Sequence, residues 1–509
     1  MKKFLTLLMI CTMIFIPAIV SAASPKDAPK KLVIVSQSEP DTLDPTRTRM
    51  PTVTNPIMQN LNEKLIHTTT SGQLVPGLTS WKESSDGKVI EFTVRRGVKF
   101  HSGDLLTSKD IEFTHNRMMK LAPIYAQRME QLDRFEVIND YQFRYIFKKP
   151  DVRFLISRYP DIVSKSYYDR VGEDEFVKHP VGTGPYKFVD YKPGQYIDFE
   201  AFEEYWGGPP SVKQAHVIFM KEDTTRVSML KAGEADIIMS CPFNVVRDLE
   251  GAGFNIVKIP TNPVCSVQFH TGNPKAPWAD KRVRLAMALA IDGESIVKNL
   301  FHNIPGRYAT VAPWEVGYDP DLKPYPYDPN KAKQLLAEAG YAKGFDMPFY
   351  YMVGRVAGMK ETIEAAALYL NAVGIRAKVE GMEAPLMLEK VRNLKKDPNA
   401  LFVGMSPIGA SHYPDATIPL VIQFISASSM SVYSNAEFDV LVDQSLATLD
   451  NKKRGELLKK ALRILYDDVA YIPIWHNISV FATKKNIEYT PTLKQSDPLM
   501  LIKEVKIRE

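Results

Sequence analysis

The chain is poor in cysteine, in long apolar runs and in charge of one sign, and each shortage removes a class of protein. Three cysteines occur among 509 residues. They form no CxxC pair and no zinc-like spacing, which argues against a redox dithiol or a structural zinc site. Lysine and arginine number 64 against 59 aspartates and glutamates, a formal charge of +5 with no long basic tract. That balance is too mild for a nucleic-acid or acidic-lipid surface, and no nucleic-acid partner is expected. After the first stretch no apolar run approaches the roughly 20 residues that span a bilayer. Catalytic strings are missing as well. Ser406 stands in Gly-Met-Ser-Pro-Ile rather than GxSxG, and there is no HExxH and no P-loop. The acidic pairs Glu203-Glu204 and Asp467-Asp468 are adjacent, so spacing alone does not make their carboxylates converge. The eight histidines other than His412 show no metal-ligand spacing. A secreted hydrolase therefore finds no support, the chain reads as no enzyme, and no cofactor is indicated.

What is present begins at the N-terminus. Lys2 and Lys3 precede an apolar stretch from Phe4 to Val20 that Thr6, Thr12 and Pro17 interrupt. Small residues follow, Ser21-Ala22-Ala23, so residues 1–23 read as a cleaved secretory signal rather than an anchor. Cys11 lacks the small residue expected before a lipidated cysteine, so a lipoprotein is not expected. Export without an anchor points to the periplasm of a two-membrane bacterium. In that oxidising compartment Cys241 and Cys265 either pair or remain two buried free thiols, since each adjoins an apolar run. About 485 residues remain after cleavage, too many for one ordinary core, and two or three lobes are expected.

Periodicity gives an alternation of strands and helices with no internal repeat. Residues 32–36 read as a buried strand. Ile90, Phe92 and Val94 share one parity against Glu91, Thr93 and Arg95, the pattern of a half-buried strand. Thr107, with Asp110 three residues on, forms a capping-box pattern. Residues 180–208 read as a glycine-rich turn and a hairpin, in which Gly182 and Gly184 serve tight turns and Tyr205 and Trp206 serve the core. Further helices are expected at Thr224–Ala232, Val283–Ala290, Ile296–Phe301, Lys331–Ala339 and Glu361–Ala372. Two more carry one-sided apolar faces near 438–449 and 457–465, before a strand at Tyr471–Trp475. The alternation implies an α/β class with helix-covered sheets.

As a string, Trp81 to Ile111 (WKESSDGKVIEFTVRRGVKFHSGDLLTSKDI) closely resembles the signature of bacterial extracellular solute-binding protein family 5, the peptide/nickel/dipeptide class that serves ABC transporters. The resemblance continues in order through PVGTGPYKF with EYWGG, DTTRVSMLKAGEADI, PWADKRVRLAMALAIDGESIV and YDPNKAKQLLAEAGY. It ends with YPDA, EFDVLVDQ and ILYDDVAYIPIW. It implies a two-lobed α/β fold of the periplasmic-binding-protein type II (cluster C) kind. Lobe one would comprise 24–262 with 477–509, carrying an extra subdomain at about 51–170, and lobe two 263–476. The crossings would lie near Ile259–Val264 and Ile474–His476. A monomer would close on a small, peptide-like solute and deliver it to ABC permease subunits in the inner membrane.

In peptide-binding relatives an Asp receives the ligand's amine and an Arg its carboxylate. Arg355 in YYMVGRVAGMK stands where the resemblance puts the carboxylate-binding arginine. The amine side departs from the pattern. In GMSPIGASHYPDA, Met405 replaces a Trp, and Ser411 and His412 stand where the acid is usual. Tyr413 and Asp415 belong to the YPDA turn, where Asp415 suits a helix cap. Arg355, Met405, Ser411, His412, Tyr413 and Asp415 are thus the candidate ligand residues. A non-peptide ligand stays open: a metal chelate beside Met405 and His412, a carboxylated compound or an oligosaccharide. A receptor that signals without transport is equally compatible.

Overall fold

The computed structural model describes residues 31–508 except 49–55, 71–72, 123–124, 127–128, 157–160, 354, 398, 409–414 and 494–498. The expected signal segment lies outside the described residues. A ten-stranded sheet runs through the molecule. Its order is Ile375–Met382, Phe345–Met352, Val403–Ile408, Asn255–Phe269, Tyr471–Thr483, Ile237–Ile238, Leu32–Ser36, Gln214–Phe219, Tyr196–Ala201 and Tyr186–Lys192. Two of these strands, Asn255–Phe269 and Tyr471–Thr483, are long enough to serve both halves, and we call them the crossing strands. They pair antiparallel over their length with two register shifts: one between Cys265 opposite Trp475 and Ser266 opposite Pro473, and a larger one where Pro260 opposite Ile478 gives way to Val264 opposite His476. Three residues of one strand, Thr261, Asn262 and Pro263, thus face one residue, Asn477, of the other. A bulge of this kind bends a strand, and it tolerates two prolines that a regular central ladder would reject.

On the first-lobe side, Leu32–Ser36 lies between and parallel to Gln214–Phe219 and Ile237–Ile238. On the second-lobe side, Phe345–Met352 lies parallel to both Ile375–Met382 and Val403–Ile408. Helices Lys281–Ala290, Gly293–Phe301, Pro329–Glu338 and Met359–Ala372 cover one face of the second lobe and share a core with the first. Trp475 on the second crossing strand is the hub of that core. It is fully buried, packs edge-on against Phe243 and Phe301, and donates its indole N–H to Thr362 Oγ1 at 3.0 Å. Helices Ala436–Leu446 and Asn451–Asp467 pair through Phe438, Val442, Leu458 and Leu462, the faces that their 3.6-residue period marks. Cys241 and Cys265 are free and buried. Burial pushes the Cys241 thiol up to about 12 and raises that of Cys265 further, so both stay protonated and unreactive.

The motif-rich unit forms a separate four-stranded antiparallel sheet, Thr79–Glu83, Val89–Val94, Gln142–Phe147 and Leu132–Asn139 in spatial order. Ile90, Phe92 and Val94 point into its core, where Phe92 stacks on Phe143 at 4.9 Å. Helix Ser108–Leu121 starts at Thr107, whose backbone N–H donates to the Asp110 carboxylate at 2.9 Å, one arm of the capping box. Gly182 and Gly184 do not serve positive-φ turns. A Cβ on Gly182 would meet the Leu61 carbonyl oxygen at 2.1 Å, and one on Gly184 the Asn60 carbonyl oxygen at 2.5 Å. Close backbone approach is therefore what demands glycine at both. Beneath that loop Glu63 is buried, and its carboxylate accepts from Tyr205 Oη, Trp206 Nε1 and Thr183 Oγ1 at 2.7, 2.8 and 3.0 Å. Burial pushes this carboxyl above the ordinary range, and the three donors oppose that rise. Tyr205 and Trp206 are thus packing residues whose polar tips hold a buried acid.

Candidate functional site: a cleft over the crossing strands

The site follows from strand direction. Ile237–Ile238 runs antiparallel to Tyr471–Thr483, with Ile238 opposite Ala482, so its carboxyl end points toward the crossing. Val403–Ile408 runs antiparallel to Asn255–Phe269, with Ile408 opposite Val264, and also ends at the crossing. The carboxyl ends of the parallel strands of both lobes therefore converge on the bulge at Thr261–Pro263 and His476–Asn477. In open α/β sheets that edge is where loops are free to hold a ligand.

The first-lobe rim is stitched by Arg226. This arginine is fully buried, on helix Asp223–Ala232. Its Nη1 donates to the carbonyls of Met220 and Lys221 at 3.0 and 2.7 Å, and its Nη2 to the Ser240 carbonyl at 3.0 Å and to Asp223. Met220 N–H in turn donates to the Ser36 carbonyl, and Cys241 N–H to Val480 on the second crossing strand, at 2.8 Å each. One guanidinium thus fixes the loops that follow two parallel strands and ties a third to them. Asp223 opens the helix and partners Arg226, while Glu222 is the N-cap.

At the crossing His476 is buried, and its Nε2 lies 2.9 Å from the Thr310 carbonyl. An imidazole against a carbonyl places its proton on Nε2, and burial holds its pKa down at about 4, so the ring is neutral. Tyr308 packs on this ring at 4.8 Å and on Trp314 at 5.9 Å. The Trp314 indole nitrogen finds no acceptor among the described residues. Sequence reasoning missed Tyr308, Trp314 and Ser240, because aromatic and hydroxyl residues in loops carry no periodic signal.

On the second-lobe rim Arg355 follows Phe345–Met352. It is half-buried and makes no hydrogen bond or ion pair among the described residues. Ser411, His412 and Tyr413 lie outside the described residues. Two candidates are corrected. Met405 is fully buried in the core shared by both lobes, opposite Val267 on one neighbouring strand and Tyr351 on the other, and offers no sulfur to a cleft ligand. Asp415 is fully buried: its Oδ1 accepts the Thr417 N–H at 2.8 Å and its Oδ2 the Arg454 Nε at 2.9 Å and Nη2 at 2.8 Å. Both oxygens are committed inside the protein, so Asp415 is a structural residue and not an amine anchor. No group of three His, Cys, Asp or Glu side chains is placed to hold a metal among the described residues.

The comparisons agree with this architecture. Residues 73–419 match the sequence profile of the bacterial extracellular solute-binding proteins, family 5 (middle region). The heme-binding protein A of Haemophilus influenzae is 29% identical over 80% of this chain and 80% of its own length. The di/tripeptide-binding protein 2 of Pseudomonas aeruginosa is 27% identical over 92% of this chain and 94% of its own. Among solved structures, an ABC transporter-associated periplasmic binding protein from Helicobacter pylori, in complex with the peptide STSA, superposes with a TM-score of 0.78. It is 24% identical and covers 94% of this chain and 98% of that one, a likeness of fold. The fold is accordingly the two-lobed periplasmic-binding-protein type II fold.

Proposed function

Because the chain belongs to the bacterial extracellular solute-binding proteins of family 5, we propose that it captures a short peptide or related carboxylated solute between its lobes and hands it to an ABC permease. The observation that carries this reading is Arg355: a guanidinium at the cleft rim, half-buried and without a partner among the described residues. By contrast, the terminal guanidinium nitrogens of the deeply buried Arg226, and the guanidinium of Arg454, are held by acceptors inside the protein. A free planar fork suits a carboxylate bidentately. Ser411, His412 and Tyr413 keep the ligand-contacting role that the family pattern gives them. The lobes divide at 262/263 and 476/477 and close as a hinge, stabilised through the ligand's contacts with both. The protein works as a monomer in the periplasm, after cleavage of its signal and without lipidation. No helix among the described residues is long and apolar enough to cross a membrane.

One observation favours solutes that lack a free amine. Asp415, the acid next in sequence to the expected amine site, is neutralised by Arg454. A ligand ammonium would be desolvated there without a counter-charge. N-acetylated peptides, amine-free carboxylates and hemin are therefore the ligands to set beside free peptides in a thermal-shift screen, where binding raises Tm by mass action. Stabilisation by free-amine peptides alone would overturn the amine-free preference. No shift with any carboxylated solute would overturn the role of Arg355.

A further inference from the structure

Four positions other than glycine among the described residues have positive φ: Ser240, His302, Asn303 and Val469. For a β-branched residue such as Val469, at φ 48°, the left-handed region is costly. The fold explains it. Val469 is buried, and Arg284 Nε donates to its carbonyl at 3.1 Å, so packing and a buried cation hold it where the chain leaves helix Asn451–Asp467. Ser240, at φ 52°, is held by the same device: the carbonyl accepts from the fully buried Arg226. Apart from that carbonyl, no polar group of Ser240 is used by the described residues. Ser240 is half-buried rather than packed in the core, and neither its hydroxyl nor its backbone N–H has a partner among the described residues. It sits two residues past Ile238, at the carboxyl end of a parallel strand directed at the crossing, and the next residue is bonded to the second crossing strand. Strained backbone that the surroundings over-determine concentrates at functional sites.

We propose that Ser240 is a ligand-contacting residue of the first lobe, whose hydroxyl and backbone N–H donate to a carbonyl or carboxylate oxygen of the solute held over the crossing strands. The assignment rests on the cleft reading given above and supplies its first-lobe donor. It gives Arg226 a second consequence. By turning the Ser240 carbonyl inward, the buried guanidinium leaves the two donors of that residue for the cleft.

The experiment separates this contact from the general reading. The protein is stripped by unfolding and refolding, then equilibrated with a defined mixture of di-, tri- and tetrapeptides, each free or N-acetylated. Captured peptide is quantified by mass spectrometry for the parent, Ser240→Gly, Ser240→Ala and Arg355→Ala. Glycine accepts φ 52° without strain, so Ser240→Gly is expected to melt, without ligand, at or above the parent temperature. Its capture is nevertheless expected to fall at least fivefold, with Ser240→Ala falling likewise. If the parent and Arg355→Ala differ in capture while Ser240→Gly and Ser240→Ala match the parent, the assignment of Ser240 is overturned and the cleft reading stands. If the parent captures no peptide, the peptide reading fails and the assignment falls with it. A Ser240→Gly protein that melts well below the parent would also sink it, because the residue would then be shown to serve the fold.

Discussion

At the first-lobe rim Arg226 is enclosed, with three backbone carbonyls and Asp223 around its guanidinium. At the second-lobe rim Arg355 stands half-open with no partner among the described residues. The two arginines occupy corresponding places, each beside the carboxyl end of a parallel strand. The difference is what the protein gives them to bind. A buried guanidinium must be surrounded by acceptors, since an unpaired buried charge costs several kcal/mol. A rim guanidinium can wait for a ligand, because water serves it meanwhile. Arg454 extends the first pattern by enclosing Asp415, the acid of the YPDA turn. Enclosed charges should therefore register in stability and the open one in affinity.

Four substitutions and one titration bear on that contrast. Arg454→Ala leaves the Asp415 carboxylate buried and alone, and should destabilise by about 3–5 kcal/mol, read as a lower urea midpoint; a loss under 1 kcal/mol would show the pair to be dispensable. Arg226→Ala strands three rim carbonyls and should cost about 3 kcal/mol; it should also weaken ligand capture, and intact capture would break the link between enclosure and site geometry. His101 gives a milder case of the same enclosure. Its Nε2 lies 2.9 Å from the Gly184 carbonyl, and its Nδ1 accepts the Gly182 N–H at 3.2 Å, an arrangement that suits only the neutral ring. Burial lowers its pKa to about 4 from an ordinary 6.5. The unfolded chain therefore takes up a proton first as pH falls. The stability present above pH 6.5 should decline toward pH 4, by up to about 1.4 kcal/mol per pH unit from this residue. Urea midpoints at pH 7 and 5 should show the decline, and His101→Gln should flatten part of it. Arg355→Ala should move stability by less than about 0.5 kcal/mol while weakening a carboxylated ligand at least tenfold. The reverse outcome would place Arg355 among the enclosed arginines.

Much of the fold was legible because its signals are local. The parity of Ile90, Phe92 and Val94, the Thr107–Asp110 capping box and the one-sided faces of the two late helices all appear as read. The crossing strands were not legible as strands of 15 and 13 residues. Pro260 and Pro263 break the first on paper, and only the bulge that begins after Pro260 and takes in Pro263 shows why the ladder survives. Val403–Ile408 escaped notice because an interior strand between two neighbours is apolar on both faces and has no period. Met405 was misjudged for the same reason: position in a string does not reveal which face of a sheet a side chain meets. The close approach behind Gly182 was equally hidden, since its cause is a carbonyl more than a hundred residues away.

Family membership and the α/β alternation were set by the sequence alone, through ordered motifs and short-range periodicity that need no partner to be read. Only the tertiary structure decided which polar groups are spoken for. Asp415 suited a helix cap by its place in the YPDA turn, but only the fold showed Arg454 closing on it, and Ser240 looked like any loop serine until a buried arginine was seen holding its backbone in a left-handed turn. Whether a charge or hydroxyl is free depends on neighbours brought together by folding from distant parts of the chain, and that is information no local pattern contains.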